Sequence, residues 1–78
     1  MKIYIIEGQD KFGFTTLLVT SKFDETRFTN LIRDYTKYYK YVVLSCYENE
    51  EEIYIAAFRE GEDIILDECI YPKDMIEE

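Results

Sequence analysis

One stretch of this chain repeats apolar residues at helical spacing, and the apolar runs around it read as strands. Phe28, Leu31, Ile32, Tyr35 and Tyr39 fall at i, i+3, i+4, i+7 and i+11, a single stripe at the 3.6-residue period. Asp24 is a suitable N-cap, and Glu25 places negative charge in the first turn. Lys37 and Lys40 suit the opposite end of the helix dipole. A helix with one apolar stripe must bury it against a second layer. The other apolar runs are β-branched and aromatic, so that layer is a sheet.

Four runs supply strands, KIYII (2–6), FTTLLVTS (14–21), YVVLSCY (41–47) and IYIAAFR (53–59), and DIILDECIY (63–71) supplies a further strand or an extended segment. Between the first two, EGQDKFG has turn chemistry in Gly8, Asp10 and Gly13, which predicts a β-hairpin. ENEEE and Glu60-Gly61 mark two further turns, and Pro72 ends the pairing because it has no amide hydrogen to donate. The expected architecture is α+β: a small two-layer domain, an antiparallel sheet with one helix packed on one face, in the order β-β-α-β-β-β. Seventy-eight residues hold one core, so 1–78 is a single domain, with 72–78 a frayed tail or a short helical turn.

Alternation along a strand assigns each side chain to a face. Val42, Leu44 and Cys46, with Ile53, Ile55 and Ala57, are expected to meet the helix, joined by Ile3 and Ile5. That phase sends Tyr4, Tyr41, Val43, Tyr47, Tyr54 and Phe58 to the other face, an aromatic surface suited to contact with another molecule.

Charge divides the chain in two. From Glu48 to Glu78 there are twelve acidic residues and two basic ones, while Met1 to Tyr47 has seven basic against five acidic, together the net −8. A field of that sign repels nucleic acid and anionic membrane and attracts basic protein surfaces. An aromatic sheet face can stack single-stranded bases, but such platforms need a basic surround, so direct nucleic-acid binding is not expected. No apolar run suffices for a signal peptide or for the ~20 residues of a membrane span, which predicts a cytoplasmic protein. Cys46 and Cys69 lie in apolar runs and read as buried, reduced thiols, with a disulfide open to them only if their strands are neighbours.

Several chemistries are excluded by residue type. Histidine is absent, so neither Ser-His nor Cys-His nucleophilic pairs can be built, and two cysteines alone cannot close a zinc site. ENEEEIY lacks the glycine that a calcium loop needs at its bend, and GQDKFG lacks the lysine-serine/threonine ending of a phosphate loop. Carboxylates are too numerous to single out an acid–base pair. The expectation is therefore no catalytic residue, no metal, no cofactor and no enzymatic activity.

What remains is binding. DIILDE is similar to closing strands in small accessory proteins of phages and plasmids. As a class, an acidic single domain without catalytic residues resembles the small inhibitors that phages and mobile elements use against bacterial defence complexes, anti-CRISPR proteins among them. The resemblance implies a bacterial host cell and a nucleic-acid-handling partner whose basic surface is blocked. Glu50, Glu51, Glu52, Glu60, Glu62 and Asp63 are the expected electrostatic contacts, with Tyr47, Tyr54 and Phe58 as apolar anchors. The alternative is a homodimeric structural or adaptor protein whose aromatic sheet face is the dimer seam.

Overall fold

A computed structural model describes residues 1–66. Four strands and one helix follow in the order β1 (Lys2–Asp10), β2 (Gly13–Thr20), α1 (Glu25–Tyr35), β3 (Tyr41–Glu48) and β4 (Glu51–Phe58). The strands form one sheet in the order β2-β1-β3-β4, and every neighbouring pair is antiparallel. The domain is thus α+β, with β1 and β3 in the centre and β2 and β4 at the edges. The expected fifth strand is not seen in residues 63–66, which follow a turn and lack strand pairing, and 67–71 lie outside the described residues. Cys69, Pro72 and the 72–78 tail also lie outside them.

Helix α1 begins where the sequence places it. Asp24 is extended (φ −143°, ψ 97°), and its Oδ1 accepts a hydrogen bond from the Arg27 amide at 3.1 Å. Phe28 and Ile32 are fully buried, each contributing about 1.5–3 kcal/mol by leaving water. The helix stops at Tyr35, four residues before the end of the apolar stripe. The amides of Tyr38 and Tyr39 both reach back to the Tyr35 carbonyl in a closing turn. Tyr39 still packs on the core, from the segment leading into β3.

The core lies between α1 and one sheet face. It comprises Tyr4 and Ile6 of β1, Val42, Leu44 and Cys46 of β3, Tyr54 and Phe58 of β4, then Phe28, Ile32 and Leu66. Tyr4, Phe23 and Phe28 form an aromatic cluster with ring centroids 5.3–5.6 Å apart.

Strand β3 faces as its alternation predicts, but β1 and β4 are turned over. Tyr4 stands opposite Cys46, Ile6 opposite Leu44 and Gly8 opposite Val42, so these three residues of β1 face the helix and Ile3 and Ile5 face away. The ambiguity lies in the adjacent pair Ile5-Ile6, either of which satisfies a two-residue alternation. In β4 the register with β3 shifts between Cys46 and Tyr47: Tyr47 opposes Glu52, but Cys46 opposes Tyr54. Ile53 is the extra residue of a β-bulge, packed partly on the core, and beyond it Tyr54, Ala56 and Phe58 face inward. Tyr4, Tyr54 and Phe58, expected on the outer face, are core residues, while Ile55 and Ala57, expected in the core, point outward.

Candidate partner-binding surface

The face of the sheet away from α1 mixes aromatic and aliphatic residues: Tyr41, Val43 and Tyr47 lie on it as expected, with Ile3, Ile5, Phe14, Val19 and Ile55, but Tyr4, Tyr54 and Phe58 do not. Cross-strand register aligns Val19, Ile5, Ser45 and Ile55 in one row across all four strands. Ser45 at its centre is closed over, whereas Val19 and Ile55 at its flanks are 58 % and 56 % exposed. The next row toward the β3–β4 turn holds Ile3, Tyr47 and Glu52. At this corner Met1, Ile3, Ile5, Tyr47, Asn49 and Glu50 line a groove of about 380 Å³.

The turn at the end of the groove is strained. Glu48 and Glu51 pair across a loop of only two residues, Asn49 and Glu50, with φ of +54° and +70°. Positive φ at both central positions is the type I′ pattern, whose twist matches that of the flanking strands. Asparagine tolerates this region, but glycine is the usual choice at the second position, and a residue with a Cβ there costs about 1–2 kcal/mol. A glutamate held at that position puts its carboxylate beside the groove. Glu52, opposite Tyr47, adds a second carboxylate on the same face.

The remaining acidic residues do not join these two. Glu48 and Glu51 belong by alternation to the helix side of the sheet, where Lys2 of β1 stands opposite Glu48. Glu60, Glu62 and Asp63 follow the far end of β4, ~23 Å from Glu51 at the ~3.3 Å rise of a strand. There Glu62 is engaged with its neighbour. Its Oε1 accepts from the Arg59 amide at 2.9 Å, and its Oε2 accepts from Arg59 Nε at 3.2 Å and Nη2 at 3.1 Å. The backbone hydrogen bond, followed by the guanidinium bonds, lowers the Glu62 pKa below the ordinary glutamate value. A cleft of about 330 Å³ at this end is lined by Arg33, Thr36, Arg59, Gly61, Glu62, Asp63 and Ile64.

Of the nine residues that the sequence nominates for contact, Glu50, Glu52 and Tyr47 therefore share one corner of the outer face. Tyr54 and Phe58, each 6 % exposed, are on the opposite side of the sheet. Sequence reasoning missed Met1, Ile3, Ile5 and Asn49. Asn49 carried a readable signal, because asparagine in an otherwise acidic turn marks a left-handed backbone position. Cys46 is buried, and burial pushes its thiol pKa up, so it is a packing residue rather than a nucleophile.

Among the described residues, no group of three or more Asp, Glu or Cys side chains is placed to hold a metal ion, and no helix is long and apolar enough to cross a membrane. No family model, curated protein or solved structure matches this chain.

Proposed function

We propose that this chain is a protein-binding module that seats its outer-face groove, rimmed by Glu50 and Glu52, on a basic surface with an apolar projection. The observation that carries the reading is Glu50 at φ +70°, a strained glutamate where glycine would relieve the turn, placed beside an open apolar groove. An apolar centre bordered by charge is the usual anatomy of a protein interface, with the aromatic and aliphatic residues supplying most of the binding energy. Ile3, Ile5 and Tyr47 are the anchors in this reading. Glu50 and Glu52 steer approach and select a basic partner.

The strongly acidic balance of the chain favours a partner that itself handles nucleic acid, because such surfaces are basic and the carboxylates compete for the same arginines and lysines. Blocking by occupancy makes the chain an inhibitor without chemistry of its own, acting in the bacterial cytoplasm in the manner of the phage-borne inhibitors that its composition resembles. The test is capture from a nuclease-treated bacterial lysate on immobilised chain, followed by elution with added nucleic acid. Release of the captured protein by nucleic acid, and its loss on raising salt, is the expected result. A captured protein that resists both would overturn the competition mechanism.

A further inference from the structure

The two edges of the sheet are unequal. Each carries one bulge, but β4 begins with two charged residues, Glu51 and Glu52. The β2 edge has no such protection. Its eight residues, GFTTLLVT, include no charge and no proline, the devices that commonly blunt an edge strand. Gly13 through Thr16 are exposed on both faces, and the hairpin also presents Phe12 and Phe14, 87 % and 63 % exposed. From Lys11 to Lys22 there is no acidic residue, in a chain of net charge −8.

We infer that the free edge of β2 pairs antiparallel with β2 of a second copy, joining two four-stranded sheets into one of eight strands. The β2 bulge argues for a second copy over a foreign strand. Between Ile6 and Glu7 the register passes from Leu18 to Thr16, leaving Leu17 as the extra residue. Consequently Phe14, opposite Gln9, and Val19, opposite Ile5, share the outer face, although they are five residues apart. Thr15, opposite Gly8, and Leu18, opposite Ile6, share the helix face.

On either side of the bulge, the face pattern of β2 is thus symmetric about the Thr16–Leu17 bond, the central pair excepted, where Thr16 faces outward and Leu17 packs on the core. Antiparallel self-pairing about that point sets Phe14 against Val19 and Thr15 against Leu18 of the other copy, each with a same-face partner, and it does so twice. Aromatic against β-branched is a favourable cross-strand pair. The arrangement also places the acidic β4 flanks of the two copies at opposite ends of the joined sheet. The same register brings Lys22 of each copy toward Lys11 of the other, a like-charge approach that lies outside the paired strands. The dimer leaves the Glu50 groove free, so it stands apart from the proposed partner binding.

Sedimentation equilibrium on the full chain, from about 1 µM to about 1 mM, tests the pairing. The expected result is a concentration-dependent rise from 9.4 kDa toward twice that mass. Thr16→Lys sets a charge beside its own copy at the symmetry point, yet in the monomer it faces solvent opposite Glu7, and it is expected to remain monomeric with unchanged far-ultraviolet dichroism. Ile55→Lys, on the outer face of the far edge strand, is expected to dimerise like the native chain. In the native chain, amides of β2 should exchange more slowly with solvent deuterium at high concentration than at low. A native chain that stays monomeric throughout overturns the inference, as does dimerisation unaffected by Thr16→Lys. Loss of the dimer in Ile55→Lys alone would assign the contact to the sheet face and overturn edge pairing.

Discussion

The ring of Tyr39 packs directly against Gly8. A Cβ built on Gly8 would stand 2.5 Å from Tyr39 Cδ2 and 2.6 Å from Cγ, well inside van der Waals contact. Gly8 faces the helix side from β1, opposite Val42, while Tyr39 belongs to the segment between α1 and β3. Because glycine offers no side chain, the aromatic ring closes the core where α1 has already ended.

Gly8→Ala is expected to destabilise the fold by about 1–3 kcal/mol, the usual cost of overpacking a filled site. Chemical denaturation measures it. Combining it with Tyr39→Leu, which withdraws the ring, should recover part of the loss. Two substitutions whose costs simply add would show that the contact is not tight.

Tyr54, Phe58 and Ile55 give a direct reading of which face of β4 is the core. Phe58→Ala is expected to cost about 3–5 kcal/mol, comparable to the whole stability of a domain this size, so the variant should be largely unfolded at room temperature. Tyr54→Glu, which would bury a carboxylate, should fail in the same way. Ile55→Ala, exposed on the other face, should shift the midpoint by about 0.5 kcal/mol or less. Thermal melts of the three variants suffice, and a large effect at Ile55 with small ones at Tyr54 and Phe58 would reverse the assignment.

Replacing Glu50 should separate stability from binding. Glu50→Gly relieves the positive-φ position and is expected to stabilise the domain by about 1 kcal/mol while weakening partner capture. A destabilised Glu50→Gly would mean that the glutamate is held there by contacts rather than retained against strain.

Glu62 is expected to titrate below the ordinary glutamate range, measured by its side-chain carboxyl resonance. Its folded pKa is lower than its unfolded pKa, so its contribution is present above the unfolded value and disappears as pH falls through the folded one. Arg59→Ala removes the guanidinium but keeps the Arg59 amide bond, the larger cause, so the pKa should rise only part of the way back. A full return would place the cause in the side chain.

How much of this could be read beforehand depends on the residues. The helix was legible because Asp24 caps it and Phe28 and Ile32 start an unbroken stripe. The inward face of β3 was read correctly from Val42, Leu44 and Cys46 alternating with Tyr41, Val43, Ser45 and Tyr47, although Val43 is itself apolar and buried. β1 was not, because the adjacent Ile5 and Ile6 offer both phases. β4 was not, because the bulge at Ile53 inverts the alternation midway, and a bulge is a property of the pairing rather than of one strand. For the candidate surface, Tyr47, Glu50 and Glu52 were readable. The acidic residues near 50 and near 62 look continuous in sequence, yet an extended strand holds them at opposite ends of the sheet.

The corner formed by the β3–β4 turn and the outer groove is the site proposed for partner binding. The direct measurement is lysate capture on three immobilised chains: native, Glu50→Gln/Glu52→Gln, and Glu60→Gln/Asp63→Asn. A protein held by the native chain and by the Glu60/Asp63 variant, but lost from the Glu50/Glu52 variant, is the predicted result. Capture that survives the loss of Glu50 and Glu52 but not that of Glu60 and Asp63 would contradict the account and move the site to the far end of β4.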